Sequence, residues 1–215
     1  MPLPLPCLMA VTDRALCGGV GALMAAVEAA ISGSANVVQL REKDLPPAEL
    51  LALARRLRDV TRGRGLLVVN GPLEVAAAAG ADGVHLPEGA PLVSRSRHGF
   101  LVGCSIHSLE AARRAEAEGA GYLVAGPVYE TRSHPGVQPA GLALIEEIAR
   151  SVDVPVLAIG GVTAGRVEEA VRAGASGVAV ISAVFAAADP RTAALELRRA
   201  LDAAWERSPT PRGAS

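Results

Sequence analysis

Two turns in this chain are suited to holding an anion: Ile159-Gly160-Gly161-Val162-Thr163, and Val180-Ile181-Ser182-Ala183 one unit later. Each leads into a segment of helical composition. Glycine lets backbone N–H groups come close to a ligand, and the helix N-terminus that follows favours negative charge. Gly160, Gly161, Ile181 and Ser182 are therefore the candidate phosphate-binding residues. A second signal is Lys43, the single lysine beside twenty arginines. In so arginine-biased a chain, a lone lysine points to a need for its compact ammonium group. Gln39, Arg41 and Lys43 alternate along one extended run and so project to one side of it, which reads as an anion grip. An unperturbed imidazole titrates near neutrality, so His107 and His134 are candidates for proton transfer, with Glu130 a third. His85, inside an apolar run, reads as structural, and His98 as a surface residue. No Cys/His pair has zinc spacing and no GxSxG elbow is present, so no metal site is expected on those grounds.

These residues need elements to position them. Short, almost continuously apolar runs recur at 7–11, 36–40, 66–70, 83–86, 101–106, 122–126, 155–160 and 177–181. Strands covered on both faces have this character. Helical segments such as 47–60, 108–118 and 164–173 lie between them. Strand and helix alternating eight times predict a parallel sheet with crossover helices. An internal echo sharpens this: Gly80-Ala81-Asp82-Gly83-Val84, Gly119-Ala120-Gly121-Tyr122 and Gly174-Ala175-Ser176-Gly177-Val178 each close a helix and open a strand. Such repetition favours a closed (β/α)8 TIM barrel over an open doubly wound sheet, and no GxGxxG follows the first strand. A single barrel over 1–207 with a disordered tail at 208–215 is the expected organisation. In such barrels the site is built at the C-terminal ends of the strands, where the polar residues of this chain cluster.

Bulk properties exclude some partners. Net charge is −1 and no block of like charges occurs, so neither nucleic acid nor a membrane surface is an expected partner. Three cysteines, an odd number, fit a reducing cytoplasm better than a disulfide framework. The opening MPLPLPCLMAV lacks a basic region and is broken by prolines, so it reads as neither signal peptide nor membrane span. A homodimer is the assembly kept open.

Taken together, the strand ends resemble a known family. Val11-Thr12-Asp13-Arg14, Val38-Gln39-Leu40-Arg41-Glu42-Lys43-Asp44, Asp82-Gly83-Val84-His85-Leu86, Ser105-Ile106-His107-Ser108, Gly126-Pro127-Val128-Tyr129-Glu130-Thr131, Ala158-Ile159-Gly160-Gly161-Val162 and Gly177–Phe185 are similar to the thiamine phosphate synthase and TenI family. The resemblance implies a thiazole phosphate as ligand. One branch joins a pyrimidine diphosphate to thiazole phosphate with magnesium and releases pyrophosphate. The other, TenI-type, moves a proton so that a carboxythiazole phosphate becomes aromatic. By position, Gly161, Ile181 and Ser182 resemble the thiazole-phosphate site. Gln39, Arg41, Lys43, Asn70, Ser105, Thr131 and Ser133 resemble the pyrimidine and pyrophosphate side.

Departures from the synthase pattern choose between the branches at this level. Where synthases carry Asn-Asp-Arg this chain has Asn70-Gly71-Pro72, and where they carry Gly-Gln-x-Asp it has Pro87-Glu88-Gly89-Ala90. Both magnesium aspartates are absent, and magnesium needs oxygen ligands, commonly one or two carboxylates. The expected activity is therefore a TenI-type thiazole tautomerase, an isomerase that requires no cofactor. Pro127 occupies the place of that branch's proton-transferring histidine, so His134, His107 or Glu130 would take the role. The alternatives are the magnesium-dependent synthase and a non-catalytic barrel that binds thiazole or thiamine phosphates as a regulator.

Overall fold

The structure, a computed structural model, describes residues 1–91, 99–131, 136 and 138–208. Eight parallel strands close into one barrel in chain order: β1 (Cys7–Val11), β2 (Val37–Leu40), β3 (Leu66–Asn70), β4 (Gly83–Leu86), β5 (Leu101–Ile106), β6 (Tyr122–Ala125), β7 (Val156–Ile159) and β8 (Gly177–Val180), with β8 pairing back to β1. The outer ring is α1 (Arg14–Cys17), α2 (Val20–Ser32), α3 (Pro47–Thr61), α4 (Leu73–Ala79), α5 (Leu109–Ala117), α6 (Gly141–Ala149), α7 (Val167–Arg172), α8 (Ser182–Phe185) and α9 (Pro190–Glu206). The expected TIM barrel is thus observed. Ser208 is the one residue of the expected tail that is described; 209–215 lie outside the described residues. Among the described residues no helix is long and apolar enough to cross a membrane.

Strand parity decides where each side chain goes. Successive residues of a strand point to opposite faces. Leu8, Ala10, Val38, Leu40, Leu67 and Val69 face the helices and join the large outer core. Cys7, Met9, Val11, Val37, Val68, Leu101, Tyr122, Val124 and Leu157 fill the barrel interior. The same parity carried one step further up each strand aims Gln39, Arg41, Asn70, His85 and Ser105 into the mouth. Registers such as Asn70 opposite His85 and His85 opposite Gly103 bring them to one level.

The interior layer is built around one large side chain. Tyr122 is fully buried, and β5 makes room for it with a residue that has no side chain. A Cβ on Gly103 would fall 2.0 Å from Tyr122 Cζ and 2.4 Å from its hydroxyl. Gly103→Ala is therefore expected to destabilise the fold by about 1–3 kcal/mol, the usual cost of overpacking a rigid interior. Urea unfolding measures it; an unchanged midpoint would mean that the ring can move aside.

Candidate active site

A cavity of about 470 Å³ opens at the C-terminal end of the strands. Of the sequence-predicted site residues, it is lined by Gln39, Arg41, Lys43, Asn70, Ser105, His107, Thr131, Gly160, Gly161, Ile181 and Ser182. Glu130 is exposed and does not line it. Ser133 and His134 lie outside the described residues.

One wall consists of turns. Gly160 and Gly161 have φ of +95° and +65°, the region that favours glycine. Neither has room for a Cβ: at Gly160 it would lie 2.6 Å from Pro127 Cβ, and at Gly161 2.4 Å from the Glu130 carbonyl oxygen. The turn is tied to the loop after β6 by Val128 N–H donating to the Ile159 carbonyl (2.8 Å) and Tyr129 N–H to that of Gly160 (3.0 Å). Beside it α8 begins. Its carbonyl at Ile181 is taken by the amides of Val184 and Phe185, and the earlier amides of a helix have no acceptor within it. Ser182 and Ala183 both line the cavity, so this wall presents N–H dipoles and suits an anion.

The opposite wall carries cations whose neighbouring acids are already engaged. Glu42 is buried and accepts from the Arg14 backbone (3.1 Å) and guanidinium (3.1 Å). Asp44 takes the same guanidinium through both oxygens at 2.6 and 2.5 Å, which holds its carboxyl below the usual range. Glu88 accepts from the backbone N–H of His107 (2.7 Å) and from its Nδ1 (2.8 Å). With Nδ1 donating to a carboxylate, the neutral imidazole keeps an acceptor at Nε2. Arg41 is anchored by its backbone N–H donating to Thr12 Oγ1 at 2.9 Å. No side-chain ion pair of Arg41 or Lys43 is found among the described residues. Arg41 and Lys43 therefore line the mouth without an ion-pair partner among the described residues.

Beneath the cavity lies a polar string that sequence reasoning missed. His85 is buried; its Nδ1 lies 3.1 Å from the Tyr122 hydroxyl and its Nε2 2.8 Å from Ser105 Oγ. Burial pushes the Tyr122 phenol well up, while a hydrogen bond from Gln39 works against this. With Gln39 donating to the phenol oxygen, the phenol proton goes to His85 Nδ1 and the imidazole proton sits on Nε2, donated to Ser105. The Ser105 hydroxyl is then left to donate into the cavity. The one signal that would have found this arrangement is parity, since His85 shares its strand face with Gly83 and faces inward rather than into the outer core.

Burial, with the Arg41 charge adding to it, pulls the His85 imidazole down to about 3. The unfolded chain binds a proton at that residue near pH 6.5 and the folded one does not. Its contribution to stability is thus present above about pH 6.5 and lost as pH falls toward 3, at up to about 1.4 kcal/mol per unit. Between pH 6.5 and 5 the wild type is expected to lose about 1.5 kcal/mol more than His85→Gln. Denaturant titrations at both pH values check this; equal losses would remove His85 as the source.

Comparison with known proteins narrows what such a cavity serves. The thiamine-phosphate synthase of Methanoculleus marisnigri is 46% identical over 181 residues, which cover 81% of this chain and 86% of that one. That of Roseiflexus castenholzii is 42% identical over 202 residues, covering 89% and 88%. The solved structure of thiamine phosphate pyrophosphorylase from Pyrococcus furiosus superimposes with a TM-score of 0.82 at 35% identity, over 92% of this chain and 96% of that one. The isomerase expected from the sequence is therefore corrected: the relatives point to a synthase, a transferase, rather than a thiazole tautomerase. The expectation left the diphosphate to Arg41 and Lys43 once two aspartates were missing, and counted that as too weak a hold for a synthase. Of the residues it offered for proton transfer, His107 lines the cavity with Nδ1 donating to Glu88, Glu130 does not line it, and His134 lies outside the described residues. A family model described as thiamine monophosphate synthase (TMP-TENI) matches residues 8–184, and the chain belongs to that family.

Proposed function

We propose that this protein is a thiamine-phosphate synthase, coupling hydroxymethylpyrimidine diphosphate to a thiazole phosphate. The observation that carries the reading is one cavity with two anion-suited walls, matching two phosphorylated substrates. The amide-rich wall of Gly160, Gly161, Ile181 and Ser182 takes the thiazole phosphate, and Arg41 with Lys43 takes the diphosphate. Gln39, Asn70, Ser105 and Thr131 lie between and orient the pyrimidine. In the reaction the C–O bond to the diphosphate breaks and pyrophosphate leaves with the electron pair. The thiazole nitrogen lone pair forms the new C–N bond, and the ring takes up the positive charge. No proton changes hands, so the engaged histidines are no obstacle. Charge grows on the leaving group, and fixed cations beside it favour departure.

The family resemblance implies magnesium, and the residues present do not fit it. All twenty-two aspartates and glutamates lie within the described residues. Glu88 is the one acid lining the cavity, and His107 holds it through Oε2, so the cavity offers an ion one carboxylate that is already shared. Among the described residues no group of three or more His, Cys, Asp or Glu is placed to hold an ion. No step is therefore routed through a metal. Pyrophosphate release, followed with a coupled phosphate assay, tests the reading: it should require both substrates together. Binding of thiazole phosphate with no release under any condition would mark a barrel that only binds.

A further inference from the structure

Two residues outside the cavity, Arg166 and Tyr129, touch the amide-rich wall from behind, and a third, Glu169, holds Tyr129. The turn after β7 continues into a short 3-10 helix, Ala164–Arg166, and then α7. Arg166 Nη1 donates to the Gly161 carbonyl at 2.8 Å, and its guanidinium carbon sits 4.4 Å above the Tyr129 ring. The Tyr129 hydroxyl donates to Glu169 Oε2, on α7, at 2.9 Å. None of the three lines the cavity, so none can touch a ligand there.

What they do follows from peptide geometry. A trans peptide is planar, and its C=O and the next residue's N–H point in opposite directions. The Gly160 carbonyl is held by Tyr129 N–H, so the Gly161 N–H faces away from that contact. The Gly161 carbonyl is held by Arg166, so the Val162 N–H faces away from the guanidinium. Gly160, Gly161 and Val162 all line the cavity. With φ of +95° and +65°, the two glycines have wide rotational freedom, and nothing within the turn would keep both amides aimed. We infer that Arg166, stacked on Tyr129 and backed by Glu169, is a positioning residue that locks the Val162 amide toward the bound phosphate, beside the Gly161 amide that the Tyr129 N–H sets. Burial and the Glu169 contact raise the Tyr129 phenol to about 12, so it remains a donor at any working pH. The stack holds the guanidinium in place, because the cation lies over a ring whose hydroxyl is itself anchored.

The inference rests on the amide-rich wall being the phosphate site, and its test does not rest on turnover. Backbone amide signals of ¹⁵N-labelled full-length protein are followed by NMR as inorganic phosphate is added. In the wild type the Gly161 and Val162 signals should shift saturably. Arg166→Ala should weaken that phosphate affinity by about tenfold or more, the effect of losing a hydrogen bond from a charged group. Glu169→Gln, which keeps an acceptor for Tyr129, should stay within about threefold of wild type, under the energy of one ordinary hydrogen bond. Affinity for inorganic pyrophosphate, read from signals of Arg41 and Lys43, should be unchanged in Arg166→Ala. A general loosening of the barrel would weaken both ligands alike. Stationary Gly161 and Val162 signals in the wild type, an Arg166→Ala protein that binds phosphate as the wild type does, or equal loss of both ligands would each overturn the inference. Should wild-type protein show these shifts and the Arg166 effect yet release no pyrophosphate from its two substrates, the lock stands and the transferase falls.

Discussion

Replacing Gly161 with alanine is expected to cut turnover by about a hundredfold, the order of loss that a misplacement of about 1 Å produces in a positioned site. The added Cβ would lie 2.4 Å from the Glu130 carbonyl oxygen, 2.8 Å from Tyr129 Cβ and 3.3 Å from the Tyr129 carbonyl carbon. Two of those three atoms are backbone, so no flexible side-chain end can swing aside. The residue also sits at φ +65°, where an L side chain costs about 1–2 kcal/mol. Relief comes from pushing the turn and the loop after β6 apart, which is the spacing that aims the amides. Gly165, four positions on, supplies the control: its φ is ordinary, and a Cβ there meets nothing within 4 Å. Gly165→Ala should keep its rate within about twofold, as surface changes away from special features do. Steady-state rates with both substrates, beside thermal midpoints showing that both variants fold, decide the matter. A Gly161→Ala enzyme within threefold of wild type would remove this turn from the site.

Arg41→Ala is expected to lower kcat by about a hundred- to a thousandfold, the range for removing one fixed group that meets developing charge. Lys43→Ala should cost less, about tenfold, since it is the more exposed of the two and its ammonium is strongly hydrated. Both losses follow from charge accounting at the mouth. Arg14 holds both Glu42 and Asp44, and Glu88 is bound to His107, so none of the three forms an ion pair with Arg41 or Lys43. Among the described residues no second acid lines the cavity to hold a divalent ion between protein and diphosphate, and none forms an ion pair with either cation. The same accounting predicts that adding a chelator in place of magnesium changes the wild-type rate by less than about threefold, well below the several kcal/mol that a resident Lewis acid supplies. Pyrophosphate release measured in both buffers checks it. A rate that vanishes with chelator and returns with magnesium, or an Arg41→Ala enzyme of full activity, would show that the diphosphate is held by other means.

The strands and most of the mouth were legible because both depend on local rules. Apolar runs of four to six residues bounded by glycine mark buried parallel strands, and the last inward residues of each must form the rim. That is how Gln39, Arg41, Asn70 and Ser105 are found without coordinates. His85 shows where such reading stops: an apolar setting suggested a structural role, and parity alone put it beneath the site. Tyr122 and Gly103 gave no sign of being partners, because their contact exists only once β5 and β6 pair. Glu42, Asp44 and Glu88 are each bound to a group on another strand or loop, a pairing that nothing in their sequence neighbourhood records.

By itself, then, the chain's order of residues determined the closed barrel, the end at which the cavity opens, and the glycine turn with its following helix. Periodicity and backbone freedom are properties of neighbouring residues. Only tertiary structure decided which charges remain free and which amides point inward. Arg14 meets Glu42, and Arg166 meets both Gly161 and Tyr129, through space. An ion pair or a stacked ring depends on where two segments dock, which no local pattern records.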